Sequence, residues 1–126
     1  MKRLILTGLL LLAGCSTSTA HLTQPVQFAV FFHNESAELT PSGQTVIAIA
    51  TKTIKDDNPS RIDITGHADG GGANNLTLAD QRAATVITAL TAAGIDAGKI
   101  VKLPPDANDS ANDAVMAHKV MVTLEP

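Results

Sequence analysis

Two side chains of opposite charge flank a glycine run. Asp69 stands at the head of Gly70-Gly71-Gly72, and Arg82 lies ten residues beyond it. A carboxylate accepts from an ammonium, and a guanidinium donates two parallel bonds to a carboxylate, so the pair has the chemistry to hold a small zwitterion at both ends. Gly66 and the three loop glycines can take positive φ and let another molecule approach the backbone. The same residue types also fit blander roles: Asp69 as the acid of an Asx-turn, Arg82 as a solvated helix residue or as the partner of Asp69 itself. The neighbours of Arg82 three and four positions away are Leu78, Ala79, Thr85 and Val86, none of them acidic. Its partner must therefore come from solvent, another element or a ligand.

Other chemistries find little support in the residues. His21, His33, His67 and His118 have no metal-ligand spacing, and no metal or other cofactor is expected. A His67/Asp69 dyad lacks an activated nucleophile, since Ser60 and Thr65 carry no motif, so the chain is not expected to be an enzyme; His67 reads as a hydrogen-bonded structural histidine. The glycine run lacks the Lys-Ser/Thr of a phosphate loop. With no Trp or Tyr, the stacking platform of many sugar binders is missing. A net charge of −3 argues against a nucleic-acid partner.

The elements that must position the pair follow from periodicity. Val26, Phe28, Val30 and Phe32 alternate with their neighbours as a strand, followed by a turn at 33–36. Thr40-Pro41 reads as the N-cap and first position of a helix that closes before Asn58-Pro59, with Val46, Ile47, Ala50 and Ile54 on its buried face. The β-branched run 45–51 also alternates well enough to be a strand. Arg61 to Thr65 is a short strand delivering the glycine loop. Thr77 with Asp80 has the pattern of a capping box, and Ala79, Ala83, Val86, Leu90 and Ala93 recur at helical spacing before Gly94, which predicts a helix over 78–93. Lys99 to Leu103 and Val120 to Leu124 supply further strands, with 106–114 a solvated loop. The expected fold is α/β, an α+β two-layer sandwich: a four-stranded mixed sheet with two main helices on one face.

Gly66-His67-Ala68-Asp69 followed by Asn75-Leu76-Thr77-Leu78-Ala79-Asp80-Gln81-Arg82-Ala83 resembles the signature of the OmpA C-terminal-like family, which includes peptidoglycan-associated lipoproteins and flagellar stator proteins. The resemblance spans roughly 26–124 and implies a peptidoglycan-binding domain. It assigns Asp69 to the ammonium and Arg82 to the carboxylate of a diaminopimelate centre in the peptide stem, with Asn75 ordering the loop, and Gly70 and backbone N–H groups near the helix start as further contacts. The chain departs from the family in two places: the stretch 70–74 is about two residues shorter, and Ala117-His118-Lys119-Val120 stands where Asn-Arg-Arg-Val is usual. These departures motivate an alternative, a domain reused for protein contacts within an envelope or secretion complex.

The start of the chain reads as a targeting segment. Lys2 and Arg3 precede the apolar run 4–13, which is too short to span a bilayer. Leu12-Ala13-Gly14-Cys15 resembles the bacterial lipobox, in which the cysteine is lipidated and the preceding peptide removed; a plain signal peptide with a chance cysteine is the alternative. Cys15 is the sole cysteine, and lipidation accounts for an unpaired exported thiol better than intermolecular pairing does. Ser16 after it, by resemblance to sorted lipoproteins, implies the outer membrane, with the domain facing the periplasm. The expected organisation is a signal peptide over 1–14, a lipidated cysteine and linker over 15–24, and one domain over 25–126. Removal of 1–14 leaves a net charge near −5, so affinity for a polyanionic wall must come from local stereochemistry rather than long-range attraction.

Overall fold

The computed structural model describes residues 24–68, 72–106 and 118–126. Expectations for the leader, Cys15 and the linker, for Asp69 and Gly70, and for all but the first residue of the 106–114 loop lie outside the described residues.

Strand β1 (Val26–Phe31) leads into helix α1 (Pro41–Asp57), strand β2 (Arg61–Gly66), helix α2 (Ala73–Ala92), a 3-10 turn over Ala97–Lys99, strand β3 (Ile100–Lys102) and strand β4 (Lys119–Glu125). The strands form one four-stranded sheet in the order β1-β4-β2-β3. Only β2 and β3 run parallel; β4 is antiparallel to both β1 and β2, so the sheet is mixed. The last strand made is thus a central one, and β1 and β2 meet only through it.

Alternation decides which face is covered. Val30, Ile62, Ile64, Val120, Val122 and Leu124 point to one side of the sheet and form a single buried cluster with Ile47 and Ile54 of α1 and Ala83, Val86 and Leu90 of α2. On the other side, Asp63 is buried under Arg61, whose Nε and Nη2 reach its two carboxylate oxygens at 2.8 and 2.9 Å.

Helix α1 is set by its ends. The Thr40 hydroxyl accepts from Gly43 N–H at 2.9 Å and Pro41 opens the first turn, while Asn58 closes the last turn in the left-handed region just before Pro59. These caps settle the ambiguity of the β-branched run 45–51 in favour of helix. Val46 of its predicted buried stripe is half-buried rather than buried.

Helix α2 corrects the sequence reading at its start. It begins at Ala73, five residues before the predicted 78, with Gly72 as N-cap. The capping box does not form. Thr77 lies inside the helix, where its hydroxyl donates back to the Ala73 carbonyl at 2.8 Å, and Asp80 pairs with Lys102 of β3. A Thr-x-x-Asp pattern has the same spacing at a helix start and within a helix, and here the hydroxyl takes the i−4 carbonyl, as Thr88 and Thr91 also do. The predicted C-terminus holds within a residue: Gly94 takes φ +96, its N–H donates to Thr91 and that of Ile95 to Leu90, a complete Schellman closure. Ala93, expected in the buried stripe, is an exposed cap residue.

Gly66 has a role different from the one predicted. Its φ is not positive, and it admits no other molecule; a Cβ at Gly66 would sit 2.3 Å from the carbonyl oxygen of Ala79. Absence of a side chain lets the end of β2 lie directly against the backbone of α2.

Candidate functional site

The C-terminal ends of β1 and β2 and the N-terminal end of β4 fall at one pole of the sheet, because Phe31 pairs with Lys119 and Gly66 with Val120. The turn after β1, the segment His67-Ala68 after β2 and His118 before β4 are thereby gathered in space. Residues scattered over the sequence become the walls of one concavity of about 410 Å³, lined by Asn34, Glu35, Ala68, Asn75, Leu78, Arg82 and His118. A second concavity shares Asn34 and His118 with it and continues over Phe31, Phe32 and His33.

Helix α2 supplies Asn75, Leu78 and Arg82 at i, i+3 and i+7, a single stripe facing the cavity. Because the helix starts at Ala73, Asn75 is in its first turn, and Arg82 lies about two and a half turns in. The N-cap is a glycine with no side-chain acceptor to offer the first backbone N–H groups, which sit beside Asn75 at the positive end of the helix dipole.

Arg82 is 2 % exposed. Its Nε donates to the Ser36 carbonyl at 2.8 Å and its Nη2 to the His33 carbonyl at 3.0 Å, and the guanidinium carbon stands 5.6 Å from the centre of the Phe32 ring. The partner that the helix could not provide is thus another element, the turn between β1 and α1. Thr85, one turn further along α2, adds a bond from its hydroxyl to the Ala37 carbonyl at 2.8 Å. Both acceptors of Arg82 are neutral. Among the described residues no carboxylate pairs with Arg82 and Nη1 has no hydrogen-bond partner, and burial pushes the guanidinium pKa downward. A buried cation whose described partners are carbonyls, edging a cavity, favours an anion beside it.

His67 does not line the cavity. It is 9 % exposed, its N–H donates to the Lys119 carbonyl at 3.0 Å, and its Nδ1 lies 4.0 Å from Asp106 Oδ2. Asp106 continues the β3 side of the sheet, bonding through its backbone to Gly66 and Ala68. Among the described residues no group of three or more His, Cys, Asp or Glu side chains could hold a metal ion.

The sequence profile of the OmpA family matches residues 31–115. The chain belongs to that family. It is 29 % identical over 105 residues to the probable lipoprotein YiaD of Escherichia coli K12, covering 77 % of this chain and 48 % of YiaD, so it spans about half the length of that relative. The fold is that of the OmpA-like domain of FopA1 from Francisella tularensis, with a TM-score of 0.67 at 24 % identity over 81 % of this chain and 73 % of that one. The peptidoglycan-associated lipoprotein of Burkholderia pseudomallei superposes with a TM-score of 0.60 at 22 % identity, over 82 % of this chain and 91 % of that one.

Sequence reasoning singled out Arg82 and Asn75, and the fold brings the two to one cavity. It assigned no site role to Asn34, Glu35, Ala68, Leu78 or His118. Their signal lay in strand order: once β1 and β2 are known to flank β4 in parallel, the turns that follow them must fall together.

Proposed function

We propose that this protein is a non-enzymatic peptidoglycan-binding lipoprotein, tethered to the outer membrane through Cys15 and clamping the diaminopimelate centre of a peptide stem in the Arg82 cavity. The observation that carries the reading is the buried Arg82 guanidinium, which has no carboxylate partner among the described residues and borders a concavity of amino-acid size. A ligand carboxylate there gains charge-assisted bonds and supplies a counter-charge. Asn75 and the first N–H groups of α2 are further donors, and Asp69 with Gly70 takes the ammonium end. Membership of the OmpA family and the likeness to a protein named as a peptidoglycan-associated lipoprotein support the same reading.

The geometry of the chain suits a tether. Its described start, Gln24 to Val26, lies beside Leu124 to Pro126 at the pole of the sheet opposite the Arg82 cavity. A six-residue β1 separates the two poles by about 20 Å, so the cavity points away from whatever holds the N-terminus. Each charge-assisted bond contributes about 1.5–3 kcal/mol, and two or three of them less the cost of association give a single-site affinity of about micromolar to millimolar. Many tethered copies on one polymer make the attachment firm.

The test is co-sedimentation with purified diaminopimelate-type peptidoglycan. Every described element lies within residues 24–126, so the chain lacking 1–18 contains all of them. Wild type should pellet, while Arg82→Leu and Asp69→Ala, checked for folding by circular dichroism, should stay in solution. Wild type remaining in the supernatant, or variants pelleting equally, sinks the clamp and directs the search to protein partners in the envelope.

A further inference from the structure

Glu35 has φ +54, in the left-handed region that long side chains rarely occupy. The other described non-glycine residue with positive φ, Asn58, is explained by its place as a helix cap. Glu35 caps nothing. It is the third residue of a turn closed by Ser36 N–H to the His33 carbonyl at 3.3 Å, a position where positive φ ordinarily calls for glycine or asparagine. The turn is braced from outside by Arg82 on the His33 and Ser36 carbonyls, by Thr85 on the Ala37 carbonyl, and by the Ser36 hydroxyl accepting from Glu38 N–H at 3.1 Å. A backbone fixed at so many points tolerates a strained residue, and strain held in this way is an indicator of function.

The second observation is where the side chain stands. Glu35 lines the same 410 Å³ cavity as Arg82 and Asn75, is exposed, and has no ion pair among the described residues. One concavity therefore carries a buried guanidinium and an accessible carboxylate with no ion pair between them, the two opposite charges that a zwitterionic amino-acid centre calls for. Arg82 itself braces the backbone of the turn that presents Glu35.

We propose that Glu35 is a specificity-determining residue whose carboxylate contacts the ammonium group of the ligand, so that the site selects stems with a free amine over acylated ones. The inference rests on the wall-binding reading above and adds a second anionic contact to it.

Calorimetric titration of the chain lacking 1–18 with a diaminopimelate-containing stem peptide, and with the same peptide acetylated on its side-chain amine, tests the assignment. Glu35→Gln should weaken the free-amine peptide about three- to tenfold and leave the acetylated one unchanged. Glu35→Gly, which relieves the backbone, should raise the melting temperature yet weaken the free-amine peptide as the glutamine does. Equal binding of the free-amine peptide by wild type and Glu35→Gln, with Arg82→Leu inactive, leaves the clamp standing and overturns the role of Glu35. Equal weakening of both peptides by Glu35→Gln overturns amine recognition. No binding of either peptide by wild type overturns the cavity reading and Glu35 with it.

Discussion

Arg82 donates through Nε to the carbonyl of Ser36, 46 residues earlier in the chain, at 2.8 Å. One side chain thereby holds the turn after β1 onto α2 and lines the cavity. Under the proposed clamp this side chain serves both structure and recognition, and substitutions should separate them. Arg82→Lys keeps a charge but has no planar fork to reach the His33 and Ser36 carbonyls together. It should lower stability by about 1–3 kcal/mol in urea unfolding and lose most wall binding. Retention of full binding by Arg82→Lys would show that a point charge suffices and that the bidentate geometry is incidental.

The pH dependence of binding has a definite sign. Burial lowers the Arg82 pKa in the folded chain, so the charged form is disfavoured by folding and stability contributed by this group rises only as pH climbs through the lowered folded value toward the unfolded one. That window belongs to strongly alkaline solution, since a guanidinium keeps its proton throughout the range in which proteins work. A bound carboxylate opposes the shift. Binding should therefore be flat from about pH 6 to about pH 8 as far as Arg82 is concerned, fall below about pH 4 as the ligand carboxylate protonates, and fall in alkali with the ligand ammonium. Co-sedimentation across this range checks it; a loss of binding centred near neutrality contradicts Arg82 as the anchor.

Much of the fold was legible because its signals were redundant. Thr40-Pro41 and Asn58-Pro59 bracket α1 from both ends, and Gly94 followed by apolar Ile95 closes α2, so in both cases local chemistry agrees with the periodicity between them. The start of α2 was misread because Thr77 and Asp80 satisfy a spacing that serves two structures; the preference of Thr77 for the Ala73 carbonyl is visible only once the earlier turn exists. Of the cavity lining, Arg82 and Asn75 stand in the signature read from the sequence. Its other wall was not, since nothing local in Glu35 or His118 announces a neighbour that the insertion of β4 between β1 and β2 creates.

The caps that made the helices legible should also be measurable. Thr40→Ala removes the acceptor for Gly43 N–H and should cost about 1 kcal/mol. Gly94→Ala forces a side chain into φ +96 and should cost about 1–2 kcal/mol. Both lie outside the Arg82 cavity, so wall binding at a temperature where the variants are folded should equal that of wild type. A binding defect in either would mean that the cavity depends on helix ends it does not touch.

Gly66→Ala joins fold to site most directly. The added methyl would meet the Ala79 carbonyl oxygen at 2.3 Å, and that oxygen is helix backbone, which has no rotamer to yield. Either α2 shifts outward or the end of β2 moves, and both lead to the cavity: α2 carries Asn75, Leu78 and Arg82, and β2 leads into Ala68. Overpacking of this kind costs about 1–3 kcal/mol. The displacement should also loosen the bonds from Arg82 to His33 and Ser36, so binding should drop even where circular dichroism reports a folded chain. Arg61, on the far side of the sheet at the opposite pole, supplies the control: Arg61→Ala uncovers Asp63 and should lower stability without changing binding. If Gly66→Ala loses stability but binds as Arg61→Ala does, the spacing of β2 and α2 matters to folding alone and the cavity tolerates a shift of its helical wall.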